Sequence, residues 1–131
     1  MKTYIERKQV KAEPMTESVA EHKGYARRNV NGHDWREGYH VVYENPDGSK
    51  YDSWAPKDVF ESACRVAETF VDRMKIEHDE LNDKCIKLDK FIAGDVYKTL
   101  SDAQKCFVAT QLAAMKTYRE VLAARMELCK Q

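Results

Sequence analysis

Apolar residues in the C-terminal half of the chain recur at intervals of three and four, which is the spacing of one face of an α-helix. The first such stripe consists of Phe60, Ala63, Ala67, Phe70, Met74, His78, Leu81, Cys85, Leu88 and Ile92. Pro56 suits the first position of a helix and Asp58 the positive end of its dipole, whereas Ala93-Gly94 stop the stripe. The pattern predicts one helix of about nine turns.

A second helix follows, capped by Ser101 or Thr99 and reaching nearly to the C-terminus. It carries two apolar stripes. One consists of Leu100, Ala103, Phe107, Gln111, Ala114, Tyr118, Val121, Arg125 and Leu128. The other consists of Val108, Leu112, Met115, Arg119, Leu122, Met126 and Cys129. The two helices therefore predict a long antiparallel hairpin.

A helix with one hairpin partner needs only one apolar face, so the second stripe predicts a further layer. Either the N-terminal part of the chain or another copy of the chain must cover it. The hairpin is roughly 50 Å long at 1.5 Å per residue, and a small sheet cannot cover all of it. We therefore predict a homo-oligomer.

The first 55 residues indicate a small antiparallel sheet. A first extended stretch runs from Thr3 to Ala12, and Tyr39 to Tyr43 alternates as a strand does. Asn45-Pro46-Asp47-Gly48 is a strong turn signal, and Lys50 to Trp54 is the return strand of a hairpin. The segment from Glu17 to Glu37 is polar and is interpreted as irregular. The fold class is α+β, with a sheet domain at 1–55 and a helical hairpin at 56–131.

Composition argues against several classes of protein. Lys+Arg and Asp+Glu are both 22, so the chain lacks the basic excess typical of binding to DNA or RNA polymers. No apolar run is long enough to predict a membrane span, and the N-terminus MKTYIERKQV lacks the apolar core of a secretion signal. The four cysteines are scattered without a CxxC pair, which favours a reducing cytoplasm and no metal site.

Catalytic patterns are weak. His33-Asp34 is a tempting dyad, but neighbouring residues rarely face one another and a solvated turn is the simpler interpretation. His78 lies on the core stripe, where an interior or interface histidine is expected more often than a general base. There is no phosphate-binding glycine loop and no HExxH motif. We predict that the chain is not an enzyme and uses no cofactor.

Polar residues in apolar stripes are more informative. Arg119 and Arg125 each lie within a stripe of the second helix, and a guanidinium on a packed face is costly unless it is paired. The partner is either a carboxylate of a neighbouring chain or a phosphate of a ligand. These alternatives stay open.

Two places combine aromatic rings with cations, as a nucleotide-binding site does. Phe91, Tyr97 and Lys98 lie around the interhelical loop, although the two rings could equally plug the end of the hairpin. Arg27-Arg28, beside Tyr25, form a second and weaker cluster.

The stretch KLDKFIAGDVYKTLSDAQKCFVATQLAAMKTYREVLAARMEL, residues 87–128, resembles the helical hairpin shared by two groups of phage immune-evasion proteins. These are the anti-CBASS cyclic-nucleotide sponges and the anti-Thoeris sponges for cyclic ADP-ribose isomers. The stretches YIERKQVKAEPMT (4–16) and GYHVVYENPDGSKYDSWAPKDVFESA (38–63) resemble the small sheet domain that precedes the hairpin in the Thoeris-type sponges.

The resemblance implies a sponge that binds cyclic ADP-ribose isomers, cyclic di- or trinucleotides, or both, without cleaving them. It implies a homohexamer built from dimers in the host bacterial cytoplasm, with ligand held between protomers. Phe91 would stack on a base and Ser101 would make a polar contact, while Arg119 or Arg125, with Arg65, would hold phosphate. The alternative is an oligomeric helical scaffold or adaptor protein without a small-molecule ligand.

Overall fold

The computed structural model describes residues 1–6, 8–29 and 35–130. The chain divides into two compact units, Met1–Arg65 and Val66–Gln131, called the sheet unit and the hairpin unit below. The sheet unit contains three strands and two short helices, and the hairpin unit contains two long helices and a short one. The predicted α+β fold is confirmed. His33-Asp34 lie outside the described residues.

The strands β1 (Lys11–Pro14), β2 (Gly38–Glu44) and β3 (Lys50–Pro56) form an antiparallel sheet in the order β1-β2-β3. The predicted hairpin is confirmed: Asn45 N donates to Ser49 O at 2.7 Å across the turn, and Gly48 takes a φ of 86°. Such a φ is uncommon for residues other than glycine, which explains the glycine at this corner.

Of the predicted extended stretch from Thr3 to Ala12, only Lys11 and Ala12 belong to β1. Lys11 pairs with Val42, and β2 ends only two residues further on, at Glu44, where the turn begins. Residues before Lys11 therefore have almost no strand left to pair with. Pro14 is accepted because β1 is an edge strand.

The prediction of an irregular segment from Glu17 to Glu37 is also wrong at its start. Glu17–Lys23 form the helix α1, and the Thr16 hydroxyl caps it by accepting from Val19 N at 3.4 Å. Ala20 is fully buried and anchors α1 in the sheet unit.

The two faces of the sheet are covered differently. On one face Tyr39 stacks on Phe60 of the helix α2 (Lys57–Ala63), with 4.2 Å between ring centroids, and Val41 is buried. On the other face His40 stacks on Tyr25, with centroids 4.3 Å apart. The sheet unit therefore has a core on one face and a polar aromatic cluster on the other.

The predicted single helix from Phe60 to Ile92 is wrong, because it is two helices. The helix α2 ends at Ala63, and α3 (Phe70–Ile92) starts again behind a capping box in which Thr69 and Asp72 bond each other's backbone N–H groups. Cys64 is extended between them. The division after Arg65 places α2 in the sheet unit, whereas the predicted boundary after residue 55 assigned it to the helical domain.

The hairpin unit consists of α3, the one-turn helix α4 (Asp95–Lys98) and α5 (Asp102–Leu128). The α4 turn replaces the predicted loop around Tyr97 and Lys98. Of the two predicted caps, Ser101 and Thr99, Ser101 caps α5 by accepting from Gln104 N at 3.2 Å. Among the described residues, no helix combines the length and apolar character needed to cross a membrane.

The two stripes of α5 have different surroundings. The stripe that begins at Val108, called the inner stripe, packs on α3 and includes the buried Leu112 and Leu122. The stripe that begins at Leu100, called the outer stripe, leaves Phe107, Val121 and Leu128 between half and three quarters exposed. The hairpin thus uses one apolar face and leaves the other exposed.

Candidate functional site

The closed end of the hairpin, where α4 connects α3 to α5, brings together the predicted aromatic residues. Phe91 and Tyr97 meet edge to face, with centroids 6.3 Å apart, and the Tyr97 hydroxyl donates to Lys105 O at 3.3 Å. Lys105 Nζ lies 6.0 Å from the centre of the Tyr97 ring. Lys105 was not among the predicted residues, although its position one turn into α5 places it beside this ring. Two rings and a cation therefore share one end of the hairpin.

Ser101 and Lys98 lie at the same end. The Ser101 hydroxyl accepts a hydrogen bond as a helix cap, and its proton stays available for donation to another group. Lys98 Nζ is 3.4 Å from Asp95 Oδ1, and both side chains are largely exposed. A surface ion pair of this kind contributes little to stability, so Lys98 can exchange its partner at low cost.

Arg119 lies half-buried on the inner stripe and donates to Asn82 Oδ1 of α3 at 3.0 Å. Two partners were left open for Arg119 on the basis of the sequence: a carboxylate of a neighbouring chain or a phosphate of a ligand. Within one chain, its partner is the side-chain amide of Asn82. An amide oxygen takes up one of the five guanidinium donors without neutralising its charge. Arg119 therefore retains a positive charge between the two helices.

Arg125 lies exposed on the outer stripe, close enough to Tyr118 for its charge to act on the phenol. Tyr118 donates to Glu77 of α3. This hydrogen bond, together with desolvation and the charge of Glu77, raises the pKa of Tyr118, and Arg125 opposes the rise. The open end of the hairpin, where α3 begins and α5 ends, therefore presents the Arg125 cation, the Tyr118 phenol and the Glu77 carboxylate together.

Ser101 and the two arginines are too far apart to contact one small ligand within one hairpin. At 1.5 Å per residue, Arg119 and Arg125 lie about 27 Å and about 36 Å from Ser101 along α5. A pocket of about 1,000 Å³, the upper end of the volume range of small-molecule sites, is only about 10 Å across. Ser101 and either arginine of the same hairpin therefore cannot contact one ligand of this size.

Arg65 is the last residue of the sheet unit and is exposed. His78, which the sequence placed on the core stripe, is half-buried in α3, with Nδ1 3.1 Å from Asp79 Oδ1. No group of His, Cys, Asp or Glu suited to hold a metal ion occurs in 1–6, 8–29 and 35–130.

The second predicted cluster lies in the sheet unit. Arg27 and Arg28 line a cavity of about 580 Å³ together with Tyr25, Trp54 and Arg36. Trp54 and Arg36 were not predicted for this site, because Trp54 is distant from Arg27 along the sequence and no local pattern links Arg36 to Arg27.

These features define a protein whose long helical hairpin presents an uncovered apolar face and cations at both ends. Residues 68–128 match the family model described as Sequestin. This match covers just under half of the chain and coincides with the hairpin unit. No curated protein and no solved structure matches the chain. The hairpin is thus similar to a family whose name denotes sequestration, which fits a binding protein.

Proposed function

We propose that this protein is a sponge that sequesters a cyclic nucleotide messenger, either a cyclic ADP-ribose isomer or a cyclic di- or trinucleotide, and releases it unchanged. The observation that carries the proposal is the match of the whole α3–α5 hairpin to the Sequestin family model. The work of such a protein is done in the host bacterial cytoplasm during phage infection, where binding of the messenger starves the immune effector of its signal.

The outer stripe is the surface that we assign to a second copy of the chain. Its exposed apolar residues follow the length of α5 and include Phe107, Val121 and Leu128. An antiparallel arrangement places the closed end of one hairpin beside the open end of another. Phe91 and Ser101 of one copy then lie near Arg125 of the other, which resolves the separation of about 36 Å within a single chain. Three such dimers would form the hexamer.

The chemistry of these residues suits a nucleotide. A base stacks on Phe91, the Ser101 hydroxyl donates to a polar group, and Arg125 or Arg119 binds phosphate with two parallel hydrogen bonds. Tyr97 and Lys98 extend the aromatic and cationic surface at the same end. Stacking of one base contributes about 1–3 kcal/mol, so Phe91 is expected to contribute strongly to affinity.

The same residues favour binding over cleavage. Arginine keeps its proton in proteins and phenylalanine does not titrate, so neither acts as a general base. Activation of a serine nucleophile would need a general base within hydrogen-bonding distance. We therefore expect the messenger to be recovered intact.

The experiment incubates the purified full-length protein with cyclic ADP-ribose isomers and cyclic di- and trinucleotides, removes the protein by filtration, and then releases the ligand by heating. Liquid chromatography of the filtrate and of the released fraction is expected to show depletion followed by recovery of the intact messenger. Recovery of an altered product would make the protein an enzyme instead.

Single-residue variants test which side chains bind the messenger. Phe91→Ala and Arg125→Ala are expected to abolish depletion, whereas Lys84→Ala, an exposed cation elsewhere on α3, is expected to leave it unchanged. Normal retention by both Phe91→Ala and Arg125→Ala would contradict the residue assignment.

The second candidate is an oligomeric scaffold without a small ligand. The bonds of Arg119 to Asn82 and of Tyr118 to Glu77 favour it, because they give polar groups of α5 partners within the chain. This candidate predicts an oligomer that depletes none of the messengers.

A further inference from the structure

The sheet unit contains a cavity of about 580 Å³, between the start of α1, the segment that follows α1, Arg36 just before β2, and the strand β3. This volume falls within the range of about 300–1,000 Å³ that small-molecule sites occupy. Every described residue of its lining belongs to the sheet unit, so this site uses none of the hairpin residues of the proposed sponge.

Among the described residues, the lining of the cavity carries more positive than negative charge. Its charged members in that part of the chain are Arg27, Arg28, Arg36 and one carboxylate, Glu17. Glu17 is only 4% exposed and holds Arg36 at both oxygens, with Arg36 Nη2 2.9 Å from Oε2 and Nε 3.4 Å from Oε1. That pair is therefore neutral as a unit. Arg27 and Arg28 remain as two positive charges, which match a phosphate dianion.

The backbone that carries Arg27 and Arg28 is held on both sides. The amides of Tyr25 and Ala26 both donate to Ala20 O, at 2.8 and 3.3 Å. The Asn29 amide donates to Glu21 Oε2 at 3.1 Å. Because both ends of this short segment are bonded to α1, the two arginines start from a restricted backbone, which reduces the entropy lost on binding.

The aromatic walls of the cavity are fixed as well. The Trp54 indole donates to Met15 O at 2.7 Å, and the ring lies so close to Gly38 that a Cβ there would approach it to 2.4 Å. The Arg36 guanidinium lies 5.4 Å from the centre of the Trp54 ring. Tyr25 is held against His40 by ring stacking. The cavity thus combines rigid aromatic surface with two arginines.

We infer that this cavity is a second binding site, for a small phosphorylated ligand of nucleotide size. Arg27 and Arg28 bind the phosphate, and the rings of Tyr25 and Trp54 contact the heterocycle. Cations with an adjacent ring are the combination that binds a phosphate and a base together. The site does not depend on the hairpin and therefore stands even if the proposed sponge activity fails.

Tryptophan fluorescence tests this site directly. The chain has two tryptophans, so Trp35→Phe leaves Trp54, in the wall of the cavity, as the only one. The full-length Trp35→Phe protein is titrated with pyrophosphate and, separately, with ADP, and binding is checked by calorimetry on the unmodified protein. Both probes are expected to give saturable signals, and ADP is expected to bind at least about fivefold more tightly because its base stacks.

Arg27→Ala/Arg28→Ala is expected to weaken binding of both probes at least about tenfold, because it removes two charge-assisted contacts. Arg27→Lys/Arg28→Lys keeps the charge but loses the planar fork, so intermediate affinity is expected. The control Lys2→Ala/Lys50→Ala removes the same charge from exposed positions outside the lining and is expected to bind normally.

Three results would overturn the inference: no saturable response to either probe, normal binding by Arg27→Ala/Arg28→Ala, or stronger competition by a single-stranded oligonucleotide than by ADP. Phe91→Ala/Arg125→Ala separates the two sites. It is expected to lose messenger retention while its Trp54 titration stays normal.

Discussion

His40 joins all three strands of the sheet through its side chain. Its ring stacks on Tyr25, Nδ1 lies 3.0 Å from Glu13 Oε1 of β1, and Nε2 lies 2.6 Å from Asp52 Oδ1 of β3. The side chain is only 12% exposed. The hydrogen bonds to Glu13 and then Asp52 raise the pKa of His40 above its ordinary value of 6.5, since two carboxylates stabilise the imidazolium.

This raised pKa makes the stability of the sheet unit dependent on pH. The stabilisation is fully present below about pH 6.5, the value in the unfolded chain, and is lost as the pH rises through the higher pKa of the folded state. We expect the free energy of unfolding to fall as the pH is raised above about 6.5. Urea denaturation followed by tryptophan fluorescence measures it, because Trp35 and Trp54 both lie in the sheet unit.

His40→Gln is expected to flatten the profile in that range, whereas His22→Gln, at the exposed end of α1, is expected to keep it. An unchanged pH profile in His40→Gln would contradict the assignment.

At the scale of elements, helix caps explain both the success and the failure of the sequence predictions. Ser101, one of the two predicted caps, precedes the first residue of α5, and serine is among the preferred residues at that position. The break before α3 was missed because Ala63, Ala67 and Phe70 continue the helical spacing across it. The signal against one long helix was Thr69-x-x-Asp72, which is a capping box.

Thr69→Ala removes the hydroxyl that accepts from Asp72 N, and we expect it to lower the free energy of unfolding of the hairpin unit by about 1 kcal/mol. Thr69→Ser keeps the cap and is expected to restore stability. Chemical denaturation followed by far-ultraviolet circular dichroism measures the effect. Equal stability of the alanine and serine variants would show that the capping box does not set the start of α3.

Ser101 has a structural role and a proposed binding role, and two substitutions separate them. Ser101→Ala is expected to lower the free energy of unfolding by about 1 kcal/mol and to weaken messenger retention. Ser101→Asn caps equally well, so stability is expected to recover while retention stays weak. Full recovery of retention in Ser101→Asn would leave Ser101 as a cap alone.

Sequence patterns could not predict contacts between residues that are far apart along the chain. The β2–β3 hairpin and the two α5 stripes rest on local spacing, which a sequence displays directly. The short helix α1 has too few turns to show a stripe. Glu17 and Arg36 meet across nineteen residues, and Trp54 reaches Met15 across thirty-nine. These contacts arise from the sheet register, so the cavity around Arg27 could be only half predicted.

At the scale of the whole molecule, the outer stripe of α5 is the main feature that a single chain does not explain. Water-exposed apolar surface of this extent marks an interaction site more often than an ordinary surface. The proposal assigns it to another copy of the chain, and a charge in the middle of the stripe tests this assignment.

Val121→Glu places a carboxylate on the outer stripe, and we expect it to convert the oligomer into monomers without loss of helicity, because burial of an unpaired charge is costly. Ala124→Glu is the matched control, since Ala124 shares a face of α5 with Thr117, Glu120 and Glu127. Size-exclusion chromatography with light scattering measures the mass. An oligomer of unchanged mass in Val121→Glu would show that another surface holds the copies together.

The central claim is that several copies of the chain together hold an intact messenger. Native mass spectrometry of the full-length protein, mixed with the messenger that it depletes most strongly, measures the copies and the bound mass in one spectrum. We predict an oligomer, with six copies as the expected number, that carries ligand at the unchanged mass of the messenger. A ligand-free oligomer, a monomer, or a bound species of altered mass would contradict the proposal.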